Sequence, residues 1–121
     1  MWTLEKEFRF EASHRLPHHG GKCARLHGHS WRVRVVCSSQ DLHQSGPRAG
    51  MVLDYGDISE IMKPILENFL DHYHLNESLA LENPTSEEVA RWIFKKIKPL
   101  LPTLNTIILE ETCTSRCSYS E

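Results

Sequence analysis

Two stretches with an apolar period of two, both carrying histidine at the end where they meet, constrain this chain more than any other feature. From Trp2 to His14 the even positions are Trp2, Leu4, Phe8, Phe10, Ala12 and His14, interrupted only by Lys6. The odd positions are Thr3, Glu5, Glu7, Arg9, Glu11 and Ser13. From His27 the pattern repeats: His27, His29, Trp31, Val33 and Val35 alternate with Gly28, Ser30, Arg32 and Arg34. Alternation of this kind is the mark of a strand with one buried face. His14 therefore lies at the end of one inward face, and His27 and His29 at the start of another. Residues 15–26 are rich in Gly, Pro and His and read as a loop. If that loop returns the chain antiparallel, the three imidazoles converge. Three imidazoles around an open position are the donor set of a catalytic zinc, whereas a structural site uses four protein ligands. A single histidine on an apolar face is more often a satisfied core residue. Three together would leave several buried ring nitrogens in need of partners. A Cys-His zinc site with Cys23 as fourth ligand is the main competing arrangement.

The other bounds are ordinary. The 121 residues suit one domain, 1–121, small enough that oligomerisation would help it. A net charge of −2 offers no general attraction for nucleic acid or acidic membranes. No apolar stretch reaches membrane-spanning length and the N-terminus does not read as a signal peptide, so a cytoplasmic protein is expected. Cys23, Cys37, Cys113 and Cys117 are then expected as thiols.

Downstream, Ser38 to Gly50 reads as an exposed loop and Met51 to Leu53 as a short apolar bridge. A helix begins near Asp54 or Asp57, with Ile58, Ile61, Met62, Ile65, Leu66, Phe69 and Leu70 as its stripe. Pro64 lies inside that stripe and predicts a kink or a poorly bonded turn. The helix runs out at Asp71-His72, where a carboxylate could orient an imidazole for proton transfer. Leu75 to Glu82 reads as a loop. Thr85 with Glu88, or Ser86 one residue later, caps a second helix through Val89, Trp92, Ile93 and Ile97 to Leu100 or Leu101. Leu104 to Cys113 is a third strand, whose parity favours Glu111 as its inward carboxylate. Cys117 to Glu121 is a short fourth. The predicted fold is α+β in ββααββ order, an antiparallel sheet with two helices on one face. Joining its free edges between subunits into a barrel would remove an aggregation liability.

Motifs along nearly the whole chain resemble the 6-carboxy-tetrahydropterin synthase family, queuosine-pathway relatives of 6-pyruvoyl-tetrahydropterin synthase. They are Phe-x-Phe-x-Ala-x-His14-Arg-Leu-Pro, Cys23-x-Arg-Leu-His27-Gly-His29-Ser, Gly50-Met-Val-x-Asp54-Tyr, Leu70-Asp71-His72, Glu82-Asn-Pro-Thr-Ser-Glu87 and Glu111-Thr-Cys113. The short Cys23-to-His27 spacing and the Cys113-x-x-x-Cys117 tail set the chain apart from the pyruvoyl branch. The resemblance implies a tunnelling fold, with subunit sheets joined into a barrel, two stacked trimers and active sites at subunit interfaces. It implies 7,8-dihydroneopterin triphosphate as substrate, and 6-carboxy-5,6,7,8-tetrahydropterin, acetaldehyde and triphosphate as products. By matching position, His14, His27 and His29 would hold one zinc per subunit, with Cys23 as general base. Asp71 and His72 would form the relay and Glu111 would anchor the pterin. Thr85 and Ser86 fall in a substrate-binding motif, and Lys22, Arg25 and Arg15 are the basic residues expected to meet the triphosphate. Three other readings stand beside this one. A pyruvoyl-type lyase would release triphosphate without acetaldehyde. A zinc- or pterin-binding scaffold would have no catalysis. A zinc hydrolase would require the fold to bring Glu110 or Glu111 to the ligands.

Overall fold

A computed structural model describes residues 1–121. In chain order the elements are β1 (Trp2–His14), β2 (His27–Ser39), α1 (Tyr55–Ile65), β3 (Tyr73–His74), α2 (Leu75–Ser78), α3 (Ser86–Ile97), β4 (Leu104–Thr112) and β5 (Ser115–Tyr119). One sheet carries all five strands in the order β3-β1-β2-β4-β5. β1 and β2 pair antiparallel over their full length, with His14 opposite His27 and Ala12 opposite His29. The alternation holds: Phe10, Ala12 and His14 are buried on β1, and Trp31, Val33 and Val35 on β2. All of these except His14 join the α1 stripe (Ile58, Met62) and the α3 stripe (Val89, Ile93, Ile97) in one cluster of 23 buried residues. The helices cover this one face of the sheet. No helix is long and apolar enough to cross a membrane.

The expected all-antiparallel ββααββ arrangement needs correcting. The sheet is mixed, because β3 pairs parallel with β1 through Ala12–Tyr73 and Ser13–His74. α1 loses its regular bonding after Pro64. It ends at Ile65 and continues as a π-helical turn, Leu66–Leu70, in which the Asp71 N–H reaches back to the Leu66 carbonyl. His72 then takes a left-handed backbone conformation, φ 65°, and turns the chain alongside β1. Its N–H donates to the Glu11 carbonyl at 2.6 Å, and the Glu11 N–H donates to Asp71 Oδ1 at 2.9 Å. The expected loop from Leu75 onward contains the single helical turn α2, whose Leu75 is buried together with Leu79 beyond its end.

Both helix starts follow their caps. Asp54 accepts from the Gly56 N–H and forms a capping box with Asp57. Thr85 accepts from the Glu88 N–H and caps α3, which stops at Ile97 with Leu101 still buried beyond it. The last strand starts two residues earlier than its sequence pattern suggests.

The helix-free face is charged. Glu7 pairs with Arg9, Arg32 and Arg34, and Glu110 pairs with Arg32, Arg34 and Arg116. The β4–β5 register shifts between Glu110 and Thr112. Glu110 is thus buried under arginines on this face, while Glu111 is turned toward the histidine end of the sheet.

Candidate metal centre and adjoining cleft

The antiparallel register brings the three predicted imidazoles together. Ring centroids lie 4.5 Å apart for His14–His27, 5.1 Å for His14–His29 and 4.9 Å for His27–His29. Glu111 joins them from β4, with Oε1 at 3.0 Å from His14 Nε2 and 3.4 Å from His29 Nε2. One ligand atom from each of the four residues lies within 4.8 Å of the others, so the group could hold a metal ion.

The surroundings fit that use. His14 Nδ1 donates to the Pro84 carbonyl at 2.9 Å, and His27 Nδ1 donates to the Arg25 carbonyl at 2.8 Å. A carbonyl can only accept, so each contact fixes the neutral ring's proton on Nδ1 and leaves the Nε2 lone pair free. Outer contacts of this kind orient metal-binding imidazoles. His14 Nε2 and His29 Nε2 are buried without an aligned hydrogen bond, although the Glu111 carboxylate is close. Buried ring nitrogens that lack aligned partners are costly, and a cation between them satisfies both at once. The charges agree. Burial holds His29 below the ordinary imidazole range, which keeps it neutral. His14 beside Glu111 holds that carboxyl below its usual range, against the opposing effect of burial. Trp31 backs the cluster, with its ring edge-on to His14 and His29 and its Nε1–H donating to the Ala12 carbonyl.

An open cleft of about 610 Å³ adjoins the cluster; Ser13, His29, Ser30, His72, Tyr73 and His74 are among its lining residues. Asp71 Oδ1 lies 3.1 Å from His72 Nδ1, so the expected carboxylate–imidazole pair is formed. The Glu11 N–H is the main reason the Asp71 carboxyl sits below its ordinary range. A smaller pocket of about 300 Å³, lined by Ser30, Arg32, Glu110, Glu111, Thr112 and Cys113, opens beside Glu111. Ser30 is common to both spaces.

The other predicted residues line neither space. Cys23 is half-buried in a single 3-10 turn, Lys22–Ala24, and is not among the residues lining either space. Lys22 and Arg25 are exposed and do not line the cleft. Thr85 is spent on capping α3, and the Ser86 hydroxyl donates to Glu87. Sequence reasoning missed Ser13 and His74, whose side chains meet at 3.0 Å in the cleft. The adjacency of His74 to the Asp71-His72 pair was the available signal.

The profile of the 6-pyruvoyl tetrahydropterin synthase family matches residues 3–121. This chain belongs to that family. The 6-carboxy-5,6,7,8-tetrahydropterin synthase of Synechocystis sp. is 51% identical over 120 residues, spanning 98% of this chain and 93% of the relative. The enzyme of the same name from Haemophilus influenzae is 35% identical over 142 residues and spans both chains fully. Among solved structures, the 6-pyruvoyl tetrahydropterin synthase of Caenorhabditis elegans superposes with a TM-score of 0.84 at 27% identity, covering 99% of this chain and 95% of the other.

Proposed function

We propose that this family member is a zinc-dependent carbon–carbon lyase. It converts 7,8-dihydroneopterin triphosphate and one water to 6-carboxy-5,6,7,8-tetrahydropterin, acetaldehyde and triphosphate on the route to queuosine. The observation that carries the reading is the convergence of His14, His27, His29 and Glu111 beside a cleft lined by His72. Relatives of this family named 6-carboxy-5,6,7,8-tetrahydropterin synthase support the carboxy product.

His14, His27 and His29 hold the zinc, one per subunit. When bound, the ion supplies positive charge against the oxyanion that develops as the substrate side chain rearranges. Glu111 is the pterin anchor. A pterin presents adjacent ring N–H and amino donors, and an ionised carboxylate accepts both in a fork, each such bond contributing about 1.5–3 kcal/mol. The lowered Glu111 carboxyl is ionised for that purpose at neutral pH. Cys23 removes the side-chain proton as general base, and His72, oriented by Asp71, carries a proton on the other side. Thr85 and Ser86 support the pterin end at the start of α3, and Lys22 and Arg25 meet the triphosphate at the pocket mouth.

The chain works in the cytoplasm as a homohexamer of two stacked trimers, with subunit sheets joined into a barrel. Strand pairing supports this. β1 has a partner on its outer side only at Ala12 and Ser13, and β5 ends the sheet at the other side. Trp2, Met51 and Tyr55 stay exposed around an apolar groove of about 420 Å³.

Purified zinc-loaded protein incubated with 7,8-dihydroneopterin triphosphate should release acetaldehyde. Triphosphate without acetaldehyde would establish the pyruvoyl reaction instead, a reading favoured by the fold match to the nematode enzyme. Cys23→Ala should abolish turnover while zinc content stays at one per chain. Full activity in that variant would remove Cys23 from the mechanism, and no turnover in the unaltered protein would leave the scaffold reading.

A further inference from the structure

His74 has no role in the reaction as described, yet it is held in place. The bridge between β1 and β3 sets it opposite Ser13, and Ser13 Oγ lies 3.0 Å from its Nδ1. It occupies the N-cap position of α2 without capping it, so the side chain is not committed to the helix. It is only half-buried, so the core does not require it. It lines the same cleft as His72 and His29.

We propose that the Ser13–His74 pair is the contact for the phosphate-bearing tail of the substrate, an inference that rests on the lyase reading above. Direction supports it. Glu111 lines one pocket and His74 lines the cleft, and Ser30 is common to the two. A pterin held by Glu111 can therefore pass its tail across Ser30 into the cleft that His72 and His74 line. No lysine or arginine of this chain lines that cleft, so inside it the donors for phosphate oxygens are hydroxyls and imidazoles, with Lys22 and Arg25 left to the mouth. Ser13 brings one O–H, and a neutral His74 brings one N–H. Their mutual bond uses one of the two, so in either tautomer one donor remains for the ligand. Two nearby acceptor atoms are already engaged. Glu11 Oε2 takes the Ser30 hydroxyl at 2.8 Å, and Asp71 Oδ1 is occupied by the Glu11 N–H and His72.

The test is calorimetric binding of inorganic triphosphate and of unphosphorylated 7,8-dihydroneopterin to zinc-loaded protein. His74→Ala should weaken triphosphate binding about tenfold, the effect of one lost hydrogen bond to a charged group. Ser13→Ala, which frees the ring without removing it, should give a smaller loss and serves if the first variant folds poorly. Neither change should weaken dihydroneopterin binding, and in turnover the KM for the triphosphate substrate should rise more than kcat falls. Equal triphosphate affinity in both variants, or an equal loss for dihydroneopterin, overturns the assignment. Failure of the lyase reading looks different. His74-dependent triphosphate binding without acetaldehyde release would keep the phosphate contact and discard the carboxy product.

Discussion

His14 shows how one side chain serves both the core and the site. It is fully buried, yet both ring nitrogens face polar partners, the Pro84 carbonyl on one side and the Glu111 carboxylate on the other. Asp71 has a comparable double duty beside His72. It accepts the Glu11 N–H and faces His72, and the Glu11 bond is the main cause of its lowered pKa. The sign of its pH effect follows. A carboxyl held below its ordinary value of about 3.9 contributes stability that is fully present above that pH and lost as pH falls through the lowered value. Asp71→Asn keeps an oxygen to accept the Glu11 N–H but cannot ionise. Urea midpoints should therefore separate the two proteins at pH 7 and converge in acid, once the pH has fallen through the lowered Asp71 value. A gap of the same size at both pH values would show that the charge of Asp71 adds nothing to the fold.

At the scale of elements, the start of α3 links stability to the metal centre. Thr85 caps the helix, and the neighbouring Pro84 carbonyl orients His14. Thr85→Ala should cost about 1 kcal/mol of stability. It should also weaken zinc binding in a chelator competition, because outer contacts of ligands typically govern affinity by about 10–100-fold. An unchanged zinc affinity alongside lost stability would uncouple the cap from the site. The same elements show what the sequence makes legible. β1, β2 and both long helices repeat one period over many residues, and Asp54 and Thr85 are strong caps, so those elements and the convergence of three histidines could be read in advance. β3 spans two residues and α2 four, too short to carry any period. The ties that set β3 join residues about sixty apart and leave no local trace, which is why the Ser13–His74 contact went unread. Parity pointed to Glu111, but two consecutive glutamates at a register shift cannot be told apart by alternation alone. Their difference comes from Arg32, Arg34 and Arg116 claiming Glu110 on the helix-free face.

At the scale of the whole molecule, the question is which copy completes which site. In a barrel of joined sheets, a carboxylate on β4 could serve its own histidines or those across an interface. The distances favour its own: Glu111 Oε1 lies within hydrogen-bonding range of His14 in the same chain, and its pocket shares Ser30 with the cleft. This makes subunit mixing decisive. On the proposed assignment His29→Ala removes a metal ligand and Glu111→Gln removes half of the pterin fork, so each should be inactive alone. If both residues belong to one chain, mixed oligomers made by co-expression contain no intact site, and activity stays at the level of the single variants. Recovery toward the statistical fraction of mixed interfaces would assign Glu111 to a neighbour's centre. The 3.0 Å contact with His14 would then belong to the isolated chain, and assembly would have to turn the end of β4 outward after the bulge.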